Sequence, residues 1–175
     1  MAAPTAPHHE RQSRMQCALH ATNAILQSAP FFTASDFDAL ARSLDAAEAS
    51  LGAPAPGLFS FSAHRIPVLG VWSVEVIKAG LATRSLEACH FPSEAAGVAD
   101  DHGVAGFLVN RLASGLSGLL GGRHWVALVP VGGAWHNFDS NFPAPRMVGT
   151  LPDVLQLLTA EPKTTTVLLV KRQAL

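Results

Sequence analysis

The sequence predicts an α+β fold, because helical periodicity dominates the first half of the chain and strand-like segments dominate the second half. The chain has 175 residues, of which 49% are hydrophobic and 14% charged, a composition that can bury a sizeable core. Neither a repeat nor a second domain boundary is visible. We therefore expect one folded domain over residues 9–172, preceded by a disordered Ala/Pro-rich tail at residues 1–8.

Four segments have the apolar spacing of helices, and local signals mark their ends. The first helix is predicted to stop before Pro30, and the second to be capped by Thr33 or Ser35. The last helix is amphipathic and lies between strand segments. The predicted helices cover residues 17–27, the segment after the cap at 33 or 35, residues 73–81 and residues 151–161.

Five segments have strand-like composition, and two of them form a predicted hairpin around Gly132-Gly133. Because the turn is short, the far ends of those two strands should lie side by side. The connector at 92–103 and the Gly-rich loop at 114–123, which we expect to be mobile, separate other strands. The predicted strands cover residues 86–91, 106–110, 124–131, 134–140 and 164–171.

Charge and composition exclude several classes of function. The formal net charge is -1, from 12 Lys and Arg against 13 Asp and Glu, and no basic stripe suits nucleic acid. The N-terminus does not resemble a signal peptide, and no apolar run has the length of a membrane span. We therefore expect a cytoplasmic protein with Cys17 and Cys89 as reduced thiols, without a metal or cofactor, and with no sign of an oligomer.

Cys17, His124 and Asp139 have the chemistry of a cysteine-nucleophile triad. A helix N-terminus and a protonated histidine both favour the thiolate, and Cys17 begins a predicted helix. The hairpin should bring Asp139 beside His124, where a carboxylate can fix the imidazole tautomer. The backbone N–H of Cys17 and the side-chain amide of Gln12 are candidate donors to an oxyanion.

Each of these residues also has an ordinary structural interpretation. A buried cysteine at a helix start, such as Cys17, often serves only as a small apolar side chain, and Cys89, in a predicted strand with apolar neighbours, is expected to be a core residue. His124 could simply end a strand, and Asp139 could be a turn residue. His20 competes with His124, since it lies one helical turn from Cys17, but it points along the same helix and we interpret it as structural.

Three sequence blocks together resemble the Josephin domains, the papain-like cysteine proteases of the ataxin and Josephin deubiquitinases. The blocks read HERQ followed by CALHATNAILQ, then GVWSVEVI, then HWV with GGAWHNFDS. The resemblance extends from about residue 9 to residue 171. The chain resembles the short, stand-alone Josephins, because it ends with the domain and has aspartate where other members have asparagine.

The resemblance implies a papain-like fold in which the nucleophile helix packs on an antiparallel sheet. It implies that Cys17 is the nucleophile, His124 the general base, Asp139 the third member and Gln12 the oxyanion donor. It further implies cleavage of isopeptide bonds at the C-terminus of ubiquitin, with ubiquitin and its conjugates as partners. A non-catalytic ubiquitin-binding module and another papain-like hydrolase are the alternatives. The segment 45–66, where the family has an arm gating the cleft, is hard to align.

Overall fold

The computed structural model describes residues 6–52, 62–66, 71–91, 103–113 and 122–173. Within these ranges the strands are β1 (Arg65–Ile66), β2 (Val71–Trp72), β3 (Leu86–His90), β4 (Val104–Leu112), β5 (Arg123–Val131), β6 (Ala134–Phe138), β7 (Arg146–Gly149) and β8 (Thr166–Arg172). The last six form one antiparallel sheet in the spatial order β3-β8-β4-β5-β6-β7. The strands β1 and β2 form a separate antiparallel pair.

Four helices in the described ranges cover the two faces of this sheet. They are α1 (Cys17–Leu26), α2 (Ala34–Ser50), α3 (Val74–Ala82) and α4 (Leu151–Ala160). Buried residues of α1, α2 and α3 share one core with the sheet, and α4 packs into a second core with other strand residues. The sheet is thus a middle layer between helices, and the predicted α+β, papain-like architecture is confirmed.

The central strand β5 illustrates how both cores depend on one strand. Trp125, Ala127 and Val129 belong to the core shared with α1, whereas Val126 and Leu128 belong to the core shared with α4. Alternate side chains of a strand point to opposite faces, so both sets are buried. This explains why β5 reads as a continuous apolar run, although antiparallel strands with one solvated face usually alternate apolar and polar residues.

The two N-terminal helices begin in different ways. Thr33 and Asp36 form a capping box at the start of α2, in which the Thr33 N–H donates to Asp36 Oδ2 at 2.7 Å. By contrast, no side chain caps the start of α1, where Gln16 is the N-cap residue and Cys17 the first helical residue. The N–H groups of the first turn of α1 are therefore not satisfied by a capping side chain.

The β5–β6 hairpin closes at Gly132 and Gly133, which have φ angles of 62° and 86°. Positive φ at both central residues is the requirement of a type I′ turn, and glycine meets it without a side-chain clash. The pairing runs from Val131↔Ala134 to Ala127↔Phe138, as the predicted hairpin requires. This register brings the start of β5 next to the residues that follow β6.

The three helices predicted with both bounds agree with the observed ones to within one residue at each end, whereas α2 begins after the predicted cap Thr33 and continues to Ser50, an end that the sequence analysis did not give. The strand predictions differ more. The strand β4 is longer than the predicted segment 106–110, and β6 ends at Phe138 instead of continuing to residue 140. The sequence analysis missed β1, β2 and β7, which have only two to four residues each.

Some predictions fall on residues outside the described ranges. These are residues 1–5 of the predicted tail, residues 53–61 of the predicted arm, residues 92–102 of the connector and residues 114–121 of the Gly-rich loop. At the end of the predicted tail, the His8 ring stacks on Phe31 with centroids 3.5 Å apart, and the backbone N–H of His8 donates to Gln27 Oε1. The domain boundary at residue 9 stays a prediction.

Candidate active site

His124 and Asp139 form a buried pair at the open end of the β5–β6 hairpin. His124 is the second residue of β5, and Asp139 directly follows β6. The His124 Nε2 atom lies 2.7 Å from Asp139 Oδ1, and both side chains are less than a tenth exposed. The short turn fixes this contact, because it sets the register of the two strands.

Cys17 lies against the same histidine from the first turn of α1. A hydrogen bond to Cys17 is among the interactions that act on the His124 imidazole. Since Asp139 occupies Nε2, Nδ1 is the ring nitrogen left for the sulfur. Burial lowers the pKa of His124, but the hydrogen bonds to Asp139 and to Cys17, with the charges of both groups, outweigh it and raise the pKa to about 9. The imidazolium form is thus favoured at neutral pH.

Asp139 has two further partners that hold its carboxylate. The backbone N–H of Asn141 donates to Oδ1 at 3.0 Å, and the Arg111 guanidinium contacts Oδ2 at 3.4 Å. Burial raises the pKa of Asp139, but His124, the Asn141 N–H and Arg111 together bring it below its usual value. Arg111 also reaches Glu161 at 3.5 Å. The carboxylate therefore stays ionised and keeps a fixed position at neutral pH.

Gln12 reaches the site from the segment that precedes α1. Its backbone N–H donates to Ser140 O at 2.7 Å, and the Ser140 hydroxyl donates to Gln12 Oε1 at 2.7 Å. Its Nε2 donates one hydrogen to Arg14 O at 2.9 Å. An amide nitrogen has two hydrogens, so one N–H of Gln12 remains for another acceptor.

A cluster around Glu10 attaches this N-terminal segment to α1. Glu10 Oε2 lies 2.5 Å from His20 Nδ1, while Oε1 accepts from Asn23 Nδ2 at 3.0 Å and contacts His8 Nε2 at 2.9 Å. Burial raises the pKa of Glu10, but the hydrogen bonds from His20, His8 and Asn23 together lower it. His20 is thus bound to Glu10 and does not compete with His124 for this role in the described geometry.

A cleft of about 540 Å³ opens onto Gln12, Cys17 and His124. Its walls also include Trp72 and Asn141. An uncapped helix start, an imidazolium and a carboxamide therefore face one cavity. This arrangement can stabilise a thiolate, hold an oxyanion and transfer a proton. The four residues predicted from the sequence come together here.

Three contributors were not recognised in the sequence. Asn141 could have been found by extending the hairpin register three residues beyond Ala127↔Phe138, which sets position 141 opposite His124. Arg111 pairs with His124 across β4 and β5, but no short turn fixes that register in advance. Glu10 acts through contacts with α1, which no local sequence pattern predicts.

The other candidate groups in the described ranges lie apart from this cleft. The expectation that Cys89 lies in the core is wrong, because Cys89 is exposed on the edge strand β3. Asp45, Glu48 and His64 are close enough to hold a metal ion, but each has a hydrogen bond already, including His64 Nε2 to Glu48 at 3.0 Å and Ser62 to Asp45. No helix in the described ranges is long and apolar enough to cross a membrane.

The fold and the cleft together define a papain-like α+β domain with a cysteine, a histidine and an aspartate at one site. Residues 12–171 match the Josephin family, and the chain belongs to that family, whose domain is of the deubiquitinase type. An ataxin-3 homologue from Arabidopsis thaliana is 30% identical over 149 residues, covering 79% of this chain and 49% of that protein.

Two shorter relatives match more completely. Josephin-2 from Homo sapiens is 32% identical over 164 residues, covering 90% of this chain and 81% of that protein. A Josephin-like protein from Drosophila melanogaster is 30% identical over 169 residues, covering 90% of this chain and 70% of that protein. The chain spans about half the length of the ataxin-3 homologue.

Proposed function

We propose that this protein is a thiol-dependent deubiquitinase that cleaves peptide and isopeptide bonds after the C-terminal glycine of ubiquitin. The observation that carries the proposal is the contact of His124 with Asp139 on one ring nitrogen, which leaves the other for Cys17. Family membership supports the choice of ubiquitin conjugates as substrates.

In the proposed mechanism, the Cys17 thiolate attacks the carbonyl carbon of the ubiquitin glycine. The backbone N–H of Cys17 and the free N–H of Gln12 Nε2 stabilise the oxyanion. When the C–N bond breaks, His124 Nδ1–H protonates the leaving lysine amine, and a thioester remains on Cys17. His124 then accepts a proton from water, whose oxygen attacks the thioester and releases ubiquitin and the thiolate. Asp139 holds the Nε2–H tautomer throughout.

The cleft supports a substrate with small residues next to the scissile bond. Trp72 and Trp125 line it together with Cys17, so bulky side chains beside the nucleophile would meet aromatic walls. A glycine-ended tail such as that of ubiquitin would fit this space. We further propose that the protein acts as a monomer in the cytoplasm, where Cys17 would remain a reduced thiol.

The proposal is tested with ubiquitin that carries an electrophile at its C-terminus. Cys17 should form a covalent adduct, detected as a mass increase of one ubiquitin, and Cys17→Ala should abolish it. Cys89→Ala is the matched control, since it removes the other cysteine from an exposed strand far from the cleft, and it should label like wild type. If Cys17 reacts with a small alkylating reagent but not with the probe, the deubiquitinase proposal fails.

A ubiquitin-binding module without catalysis is distinguished by the same proteins. Such a module would bind unmodified ubiquitin but would leave a ubiquitin C-terminal fluorogenic amide intact. The deubiquitinase should hydrolyse that amide, and Cys17→Ala should still bind ubiquitin while releasing no fluorophore. Hydrolysis of unrelated peptide amides at a similar rate would instead indicate a general papain-like hydrolase.

A further inference from the structure

Asn141 lies closer to the reacting groups than its place outside the triad suggests. Its side-chain Nδ2 is 3.1 Å from His124 Nε2, and its side chain lines the cleft. Its backbone N–H separately donates to Asp139 Oδ1. The side chain of Asn141 therefore contacts the base, whereas its main chain holds the residue that orients the base.

The proton count at His124 decides what the Asn141 amide can do. A ring nitrogen either carries a proton and donates, or carries a lone pair and accepts. While Nε2–H donates to Asp139, Nε2 cannot also accept a hydrogen from Asn141. The two ends of a carboxamide have nearly the same shape, so a half-turn of the side chain replaces Nδ2 by Oδ1. In that orientation Oδ1 accepts from the same Nε2–H.

We propose that Asn141 is a second positioning residue for His124, whose amide oxygen shares the Nε2 proton with Asp139. The inference rests on the proposed function, because it concerns the same base. Both acceptors favour the tautomer that leaves Nδ1 facing Cys17. The opposite amide orientation, with Nδ2 toward Nε2, favours the tautomer with Nδ1–H, which cannot accept a proton from the attacking water. Since both acceptors act on the same Nε2–H, the Asn141 oxygen alone can hold this tautomer when Asp139 is absent.

The inference predicts that Asn141 matters most when Asp139 is absent. Asn141→Leu keeps the side-chain size and the backbone N–H but removes the amide. With a ubiquitin C-terminal fluorogenic amide as substrate, we expect Asn141→Leu to lower kcat about threefold or less in the wild type. In Asp139→Ala it should lower kcat about tenfold or more, a difference within the range of interaction energies between contacting residues. Asn141→Asp in the Asp139→Ala background supplies a carboxylate beside Nε2 and should restore kcat about tenfold or more.

Equal losses from Asn141→Leu in both backgrounds, or no recovery by Asn141→Asp, would overturn the inference. A merely structural role for Asn141 would produce equal losses, and thermal unfolding of every variant identifies any that is simply less stable. The acid limb of the pH–rate profile is a second readout, since His124 is faced by Cys17 of α1 and by Asp139, which contacts Arg111 of β4. Arg111→Met should shift that acid limb in the wild type. Added to Asp139→Ala with Asn141→Asp, it should not abolish the recovery of kcat.

A measurement without ubiquitin separates this inference from the proposed function. The ¹⁵N shifts of the His124 ring report its tautomer at a pH above the ring's pKa. We expect the Nε2–H tautomer in wild type and Asp139→Ala, and a mixture in Asp139→Ala with Asn141→Leu. If wild type fails to cleave ubiquitin substrates while these shifts change as expected, the proposed function fails and the positioning role stands. If all variants share one tautomer while wild type cleaves ubiquitin, the positioning role fails alone.

Discussion

Replacement of Asp139 by Asn removes the charge beside His124 and preserves the shape of the side chain. The pKa of His124 rises from its usual 6.5 to about 9, against burial, through the hydrogen bonds and charges of Asp139 and Cys17. That increase corresponds to about 3 kcal/mol of preference for the imidazolium form. Because Asp139 supplies the larger share of it, Asp139→Asn should lower the pKa of His124 by at least about one pH unit.

The same change makes a directional prediction for stability. A group whose pKa is higher in the folded than in the unfolded protein stabilises the fold. This stabilisation is complete at a pH below the unfolded-state pKa and disappears as the pH rises through the folded-state pKa. For His124 the window of loss is from about 6.5 to about 9. Asp139→Asn should therefore destabilise the protein by about 1–3 kcal/mol near pH 6, and by clearly less near pH 10.

Titration of the His124 ring by NMR and urea unfolding at the two pH values check these expectations. Asp153→Asn is the matched control, because Asp153 accepts from Thr150 in the exposed capping box of α4 and is remote from the cleft. It should weaken α4 without changing the titration of His124. A His124 pKa that stays near 9 in Asp139→Asn, or an equal loss of stability at both pH values, would refute the reasoning.

Three other changes have defined outcomes. Thr33→Ala removes the capping box of α2 and should lower the free energy of unfolding by about 1 kcal/mol in urea denaturation, with ubiquitin-probe labelling unchanged. The lowered pKa of Glu10 gives wild type a stabilising contribution that is lost as the pH falls from the usual carboxyl pKa through the lowered one. Glu10→Gln should remove this contribution, so its stability should depend less on pH in that range, as measured by thermal unfolding. Arg111→Met removes a cation beside Asp139, so it should raise the pKa of Asp139 and lower turnover. The loss should be only about two- to tenfold, because the 3.4 Å contact is partly exposed, and an unchanged acid limb of the pH–rate profile would contradict this.

The parts of the fold that local rules determine could be predicted from the sequence. Thr33 and Asp36 form a capping box that defines the start of α2, and Gly132-Gly133 defines a two-residue turn. From that turn alone, the proximity of His124 and Asp139 follows. The pair was therefore predictable without knowledge of any other part of the chain.

The remaining parts depend on contacts between distant segments. The strand β7 has four residues and exists because it pairs with β6, so its own sequence has little strand signal. Glu10 binds His20 and Asn23 only once the N-terminal segment lies along α1. The position of Cys17 near His124 likewise requires α1 to pack on β5. The sequence analysis predicted this proximity more firmly from the family resemblance than from the spacing of the residues.

The two-glycine turn imposes a constraint on chain length far from any reacting atom. His124 lies seven positions before Val131 along β5, a span of about 24 Å at the rise of an antiparallel strand. One residue inserted at Gly132-Gly133 would nonetheless shift β6 by one position and turn each of its side chains to the opposite face. Asp139 would then leave Nε2, and Phe138 would leave its core. The length of this distant turn thus restricts the position of His124's partner Asp139 as strictly as the identity of the residues around His124 does.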